Sequence, residues 1–125
     1  MLFINPATEQ FGGILSRYVP VGVPISMGIL AAYLKKHGHI VHVHDEEIEK
    51  LNDAKLKGLV DKVERPLIVG IPVLTSQAGR AYEIISMVKR LHPEATVIVG
   101  GIHVTALPEE AIAQGADFVV RGEGE

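Results

Sequence analysis

Residues 67–101 read LIVGIPVLTSQAGRAYEIISMVKRLHPEATVIVGG. Two apolar runs, Leu67–Ile71 and Thr96–Val99, show no polar alternation. Strands buried on both faces look like this, as in a parallel sheet covered by helices. Between them Ala81, Ile84, Ile85, Val88 and Leu91 recur at helical spacing from Arg80 to Leu91, and Pro93 lies just beyond. Strand, helix and strand in that order form a crossover unit, and such crossovers are right-handed.

The same pattern extends outward on both sides. Leu2–Asn5, Ile40–Asp45 and Phe118–Val120 are three further strand candidates. Helical patterns run from Ser26 to His37, from Glu47 to Val63 and from Pro108 to Gln114. Gly38 and Gly115 suit helix ends, Pro108 suits a first helical turn, and Glu109 and Glu110 suit its dipole. The order is βαβαβαβαβ. It predicts an α/β fold: a doubly wound five-stranded parallel sheet, order 2-1-3-4-5, with helices on both faces. In "HIVHVHD", His42 and His44 alternate with Val41 and Val43. That strand has one wetter face, which suits the edge this order assigns to it.

The chain of 125 residues amounts to one domain, and 47% hydrophobic residues against 22% charged ones support a real core. A net charge of −3, with no Lys/Arg cluster, argues against a nucleic-acid partner. The absence of cysteine excludes disulfides, thiolate metal sites and cysteine nucleophiles within the chain. No apolar run approaches the ~18 residues of a membrane helix and no signal peptide is visible, so the expectation is a cytoplasmic protein without a membrane partner.

Ligands of open α/β sheets bind beyond the carboxyl ends of the strands, where strand order reverses. Four sequence segments reach that edge. Asn5-Pro6-Ala7-Thr8 opens a connection running to Pro24, and loops that long are usually functional. Leu74-Thr75-Ser76-Gln77 follows the third strand, Gly100-Gly101 with His103 and Thr105 follows the fourth, and Arg121-Gly122-Glu123-Gly124-Glu125 follows the fifth. Four small, polar, glycine-bearing loops on one edge suit a wide, flat ligand. Each residue also has a plainer reading. Gly100-Gly101 fits a tight turn as well as close ligand approach. His103 fits a hydrogen-bonded loop residue, and Thr75-Ser76 fits a helix cap. His37, His39, His42 and His44 lack the partners of a metal shell and read as a solvated edge. Asn5-Pro6 and Pro72 stand where a phosphorylated receiver needs acidic residues, and Gly-x-Gly-x-x-Gly is absent.

Three stretches, PISMGILAAYLKKHGHIVHVHD (24–45), VGIPVLTSQAGRAYEIISMVKRLHPEATVIVGGIHVTALPEEAI (69–112) and ADFVVRGEGE (116–125), together resemble a known family. It is the N-terminal cobalamin-binding domain of cobalamin-dependent radical S-adenosylmethionine enzymes. One branch includes the anaerobic oxidative cyclase of magnesium-protoporphyrin IX monomethyl ester. The resemblance implies that residues 1–125 are one flavodoxin-like, Rossmann-like domain that holds cobalamin at the carboxyl edge. The catalytic radical barrel is then absent from this chain. It would be the C-terminal partner in the same polypeptide, with a four-iron four-sulfur cluster, S-adenosylmethionine, and methyl-transfer or ring-forming chemistry. The implied cofactor-binding residues are Asn5, Thr8, Leu74, Thr75, Ser76, Gln77, Gly100, Gly101, His103, Thr105, Gly122 and Glu123. Side chains at 100 and 101 would strike the corrin or its nucleotide tail.

Departures sharpen the resemblance. Cobalamin domains of the methionine synthase type carry Asp-x-His-x-x-Gly after the first strand, and its histidine binds cobalt. Here Asn5-Pro6-Ala7-Thr8-Glu9-Gln10 stands in that place, and residues 6–24 contain no histidine. The expectation is a cobalt without a histidine from this domain. The apolar residues of 11–24, Phe11 and Ile14 among them, suggest self-association. Two other readings stay open: a stand-alone module for another nucleotide-bearing ligand, and a non-catalytic interaction domain.

Overall fold

The computed structural model describes residues 1–8 and 24–122. The strands are β1 (Leu2–Asn5), β2 (His42–Asp45), β3 (Ile68–Pro72), β4 (Thr96–Gly100) and β5 (Phe118–Val119). The helices are α1 (Ile25–Lys36), α2 (Asp53–Val60), α3 (Ala78–Leu91), α4 (Ile102–Ala106) and α5 (Pro108–Ala113). A 3₁₀ turn at Thr75–Gln77 leads into α3. The sheet order is β2-β1-β3-β4-β5, and every neighbouring pair is parallel, as the sequence predicts.

The register sorts side chains onto two faces. Phe3 pairs with Gly70, Gly70 with Ile98 and Ile98 with Phe118, so these four form one row on one face. Leu2, Val69 and Val97 form a row on the other face. That second face carries the main core. Leu2, Ile4, Ile71 and Val99 pack there with Leu56 of α2, Ile84, Ile85 and Val88 of α3, Val104 of α4 and Ala111 of α5. Each fully buried Leu or Ile contributes roughly 1.5–3 kcal/mol. The first face is covered unevenly. Phe3, Met27, Ala31 and Val41 make a small cluster under α1. Among the described residues α1 is the one helix on that face, and Phe118 of β5 stays 60% exposed.

Three local expectations are corrected. α2 begins at Asp53, not Glu47, because Asn52 caps it by accepting from Lys55 N (2.9 Å). Before the cap, Asp45 O accepts from Ile48 N and Glu49 N, and the Glu46 carboxylate accepts from Leu51 N, so residues 46–51 form a turn. α4 replaces the expected loop after Gly101. On β2 the edge position holds, but the histidine face is not the wetter one, and Val41, just before the strand, is buried under α1. His44 is buried on the Ile4 side, the α2–α3 face, while Val43 is 46% exposed. Among the described residues no helix is long and apolar enough to cross a membrane.

Candidate functional site

The carboxyl edge is built from four strand exits, and the first is clamped by its neighbours. Asn5 Nδ2 donates to Asp45 Oδ1 at 2.8 Å. Ala7 N donates to Glu46 Oε2 (3.2 Å), Thr8 N to Glu47 Oε1 (2.6 Å), and Gln77 Nε2 to Pro6 O (2.7 Å). Three consecutive acidic residues at the end of β2 therefore hold the start of the long connection. Glu46 anchors the clamp. Its side chain is 0% exposed and accepts from Arg80 Nε (3.0 Å) and Nη2 (2.6 Å). Burial alone pushes the Glu46 carboxyl up; the Arg80 hydrogen bonds, with the Leu51 and Ala7 amides, outweigh it and hold the group below the ordinary glutamate range.

The third and fourth exits are laced together by one residue. Val73 N donates to Gly100 O (2.8 Å), and His103 N donates to Val73 O (3.2 Å). Gly101 lies between them with φ +103°, and a Cβ there would stand 2.8 Å from Val73 O. The turn itself therefore demands glycine at 101. Gly100 has no such internal cause. A Cβ there would meet Val120 Cβ at 3.7 Å, which is ordinary contact. Room for a ligand is thus an argument for Gly100, and the sequence reading that joined the two glycines is divided.

His103 does not face the groove side. It sits in the first turn of α4 with Nε2 3.1 Å from the Tyr82 hydroxyl of α3, on the main-core face. Burial, with the charge of Glu110 beside it, pushes the Tyr82 hydroxyl up to about 12. Thr105 is a staple. Its Oγ1 donates to Gly101 O (2.9 Å) and accepts from Gly122 N (3.0 Å), which joins the fourth exit to the fifth. Asn5, Gln77, His103 and Thr105 therefore each make at least one bond within the fold. Leu74, Thr75, Ser76 and Gly122 are exposed there, and Thr8 is half-buried. Glu123 and residues 11–23 lie outside the described residues.

On the α1 face a groove of about 570 Å³ opens beside this edge. Met27, Leu30 and Leu34 of α1 form one wall, and Gly70, Ile98 and Gly100 form the sheet floor. Phe3 lies against Gly70, where a Cβ would stand 2.3 Å from its ring carbons. Glycine at 70 therefore seats the Phe3 ring. Pro72, Val120 and Gly122 stand at the edge end, and Ser26 carries the one hydroxyl or charged side-chain group among the described lining residues. The volume falls in the ordinary range for small-molecule sites. Sequence reasoning named Gly100, Gly101 and Gly122 of this lining and missed the rest. Gly70, alone inside an apolar run, was the available signal, because a strand glycine often marks close approach.

A family model described as "B12 binding domain" matches residues 13–125. An uncharacterized methyltransferase of Pyrococcus horikoshii is 33% identical over 128 residues, covering 100% of this chain and 27% of the relative. The anaerobic magnesium-protoporphyrin IX monomethyl ester cyclase of Rubrivivax gelatinosus is 28% identical over 129 residues, covering 100% of this chain and 22% of the relative. The chain thus spans about a quarter of the length of these curated relatives. In fold it matches the radical S-adenosylmethionine methyltransferase TsrM from Kitasatospora setae, solved with cobalamin and a 4Fe-4S cluster bound. The TM-score is 0.76 at 23% identity, over 99% of this chain and 22% of that one. It also matches the cobalamin-dependent S-adenosylmethionine radical enzyme OxsB, solved with aqua-cobalamin and S-adenosylmethionine bound. There the TM-score is 0.75 at 21% identity, over 99% of this chain and 17% of that one.

Proposed function

The chain belongs to the B12-binding domain family, and from that premise we propose that it is the cofactor domain of a radical S-adenosylmethionine enzyme. Cobalamin lies on the carboxyl edge, with its nucleotide tail in the groove under α1. The observation that carries this reading is the apolar groove that opens onto that edge, floored by Gly70 and Gly100. A broad, flat ring with a long tail needs such a plate and slot together.

The residues fit the group. Gly100 leaves space where any side chain would project into the slot. Leu74, Thr75 and Ser76 are exposed at the third exit, where they can meet the ring and its amides. The bracing by Gln77, Thr105 and the Glu46–Arg80 pair keeps the exits in place. On this reading His103, whose Nε2 meets the Tyr82 hydroxyl, is not a cobalt ligand. Bound there, cobalamin supplies a metal centre that can carry a methyl group. Among the relatives a methyltransferase and a cyclase span several times this length. We assign the chemistry, the iron–sulfur cluster and S-adenosylmethionine to a barrel domain in the same full-length polypeptide, with this domain itself non-catalytic.

Titration with hydroxocobalamin, followed by the visible spectrum and by calorimetry, tests the reading. Saturable binding at one cobalamin per chain is expected. No heat and no spectral change, with binding of a flavin nucleotide instead, would replace it with the other nucleotide-ligand reading.

A further inference from the structure

We infer that the groove selects among corrinoids by the polarity of the base on the nucleotide tail, favouring a benzimidazole or a phenol over a purine. This rests on the reading that the tail lies in the groove. The inference comes from what the groove offers a base. Phe3, Met27, Leu30, Leu34 and Ile98 supply apolar atoms, Gly70 lies under the Phe3 ring, and Gly100 supplies bare backbone. That backbone is already engaged. Gly70 is in register with Phe3 and Ile98 in the ladder, Gly100 O accepts from Val73 N, and Val120 N donates to Val99 O. Ser26 is exposed, on the first turn of α1. Met1 lines the end away from the edge and gives its N-terminal ammonium to Ile40 O (2.9 Å), and among the described lining residues no side chain other than Ser26 carries a hydroxyl or a charge.

The bases differ in what they require. A phenol joined through its oxygen has no strong donor left. A benzimidazole presents one ring nitrogen. An adenine presents several ring nitrogens and an amino group. Each polar group buried without a partner weakens binding by roughly ten- to hundredfold. The Phe3 ring offers equal contact to any planar base, since aromatic packing favours offset or edge-on arrangements without reading polar substituents. Shape therefore admits all three, and polarity discriminates.

Equilibrium dialysis against four corrinoids tests this: cobalamin, p-cresolylcobamide, adeninylcobamide and tail-less cobinamide. The cresolyl form should bind most tightly, cobalamin with its one free ring nitrogen roughly ten- to hundredfold more weakly, and the adenine form more weakly still. The variant Leu30→Gln places an amide on the helix wall. It should narrow these gaps while its melting temperature reports an intact fold. Equal affinity for the adenine form overturns the inference. Equal affinity for cobinamide also overturns it, because the base is then not held, while cobalamin binding itself stands. Failure of all four to bind overturns the cobalamin reading beneath it as well.

Discussion

Substituting Gly101 and Gly100 separately distinguishes backbone geometry from room for a ligand. Gly101→Ala forces an L-residue to φ +103°, which costs about 1–3 kcal/mol. Its Cβ also arrives 2.8 Å from Val73 O and 3.1 Å from Val73 N, both backbone atoms that cannot rotate away. Relief means opening the turn and weakening its two flanking hydrogen bonds, at about 1 kcal/mol each. The expected loss is about 2–4 kcal/mol, or roughly 6–15 °C in melting temperature for a domain of this size. Gly100→Val meets only ordinary contact at its Cβ and gains strand propensity, so its melting temperature should move by less than about 4 °C. Its side chain projects on the groove face, and cobalamin affinity should fall roughly tenfold or more. Circular-dichroism melting and equilibrium dialysis on both variants give the answer. A Gly101→Ala protein that melts like wild type would refute the backbone argument. A folded Gly100→Val protein with undiminished affinity would refute the groove.

Arg80→Met leaves the Glu46 carboxylate buried without its cation and should destabilise the domain by about 3 kcal/mol in urea titration; a change below about 1 kcal/mol would show the pair to be dispensable. The folded-state pKa of Glu46 lies below its ordinary value of 4.5, so its contribution is complete above that value and is lost as pH falls through the depressed one. Stability should therefore drop on acidification below pH 4.5, with a shallower drop in Glu46→Gln; parallel curves would argue against it. Paramagnetic resonance of bound cobalt(II) cobalamin should be identical in wild type and His103→Ala. Nitrogen splitting that vanishes in the variant would make His103 a ligand after all.

The sheet was legible because its signals are local and redundant. Uniformly apolar runs marked β1, β3 and β4, and right-handed crossovers left one economical order for them. α2 was drawn too long because Ile48 and Leu51 continue a helical period, although the Glu46 carboxylate, fixed by Arg80 from a distant helix, holds that segment as a turn. The histidines of β2 looked wet because histidine usually is; which face an edge strand presents depends on its partner's register. At the carboxyl edge, residue type placed Gln77, His103 and Thr105 at the right strand exits but did not reveal the bonds they make within the fold. They look like ligand contacts in sequence, and their partners Pro6, Tyr82 and Gly122 appear only once the chain is folded. The groove was illegible for the opposite reason. Leu30, Leu34 and Ile98 are ordinary core residues until one sees that no described helix covers the sheet beside them.

Val73 holds the glycine turn with both of its backbone groups, and neither bond needs a ligand. The central part of the edge has therefore lost its conformational freedom during folding and has little left to lose on binding. Ordering a flexible site costs roughly 0.5–1.5 kcal/mol for each side chain immobilised, and here that cost is confined to the rim. Leu74, Thr75 and Ser76 still rotate, but rotamer changes in exposed side chains take picoseconds to nanoseconds. On the cobalamin reading proposed above, a ligand arriving at this edge waits for no rearrangement of the Val73–Gly101 backbone. Its rate of arrival is then governed by diffusion and orientation, and its time of residence by how well the groove retains what has entered.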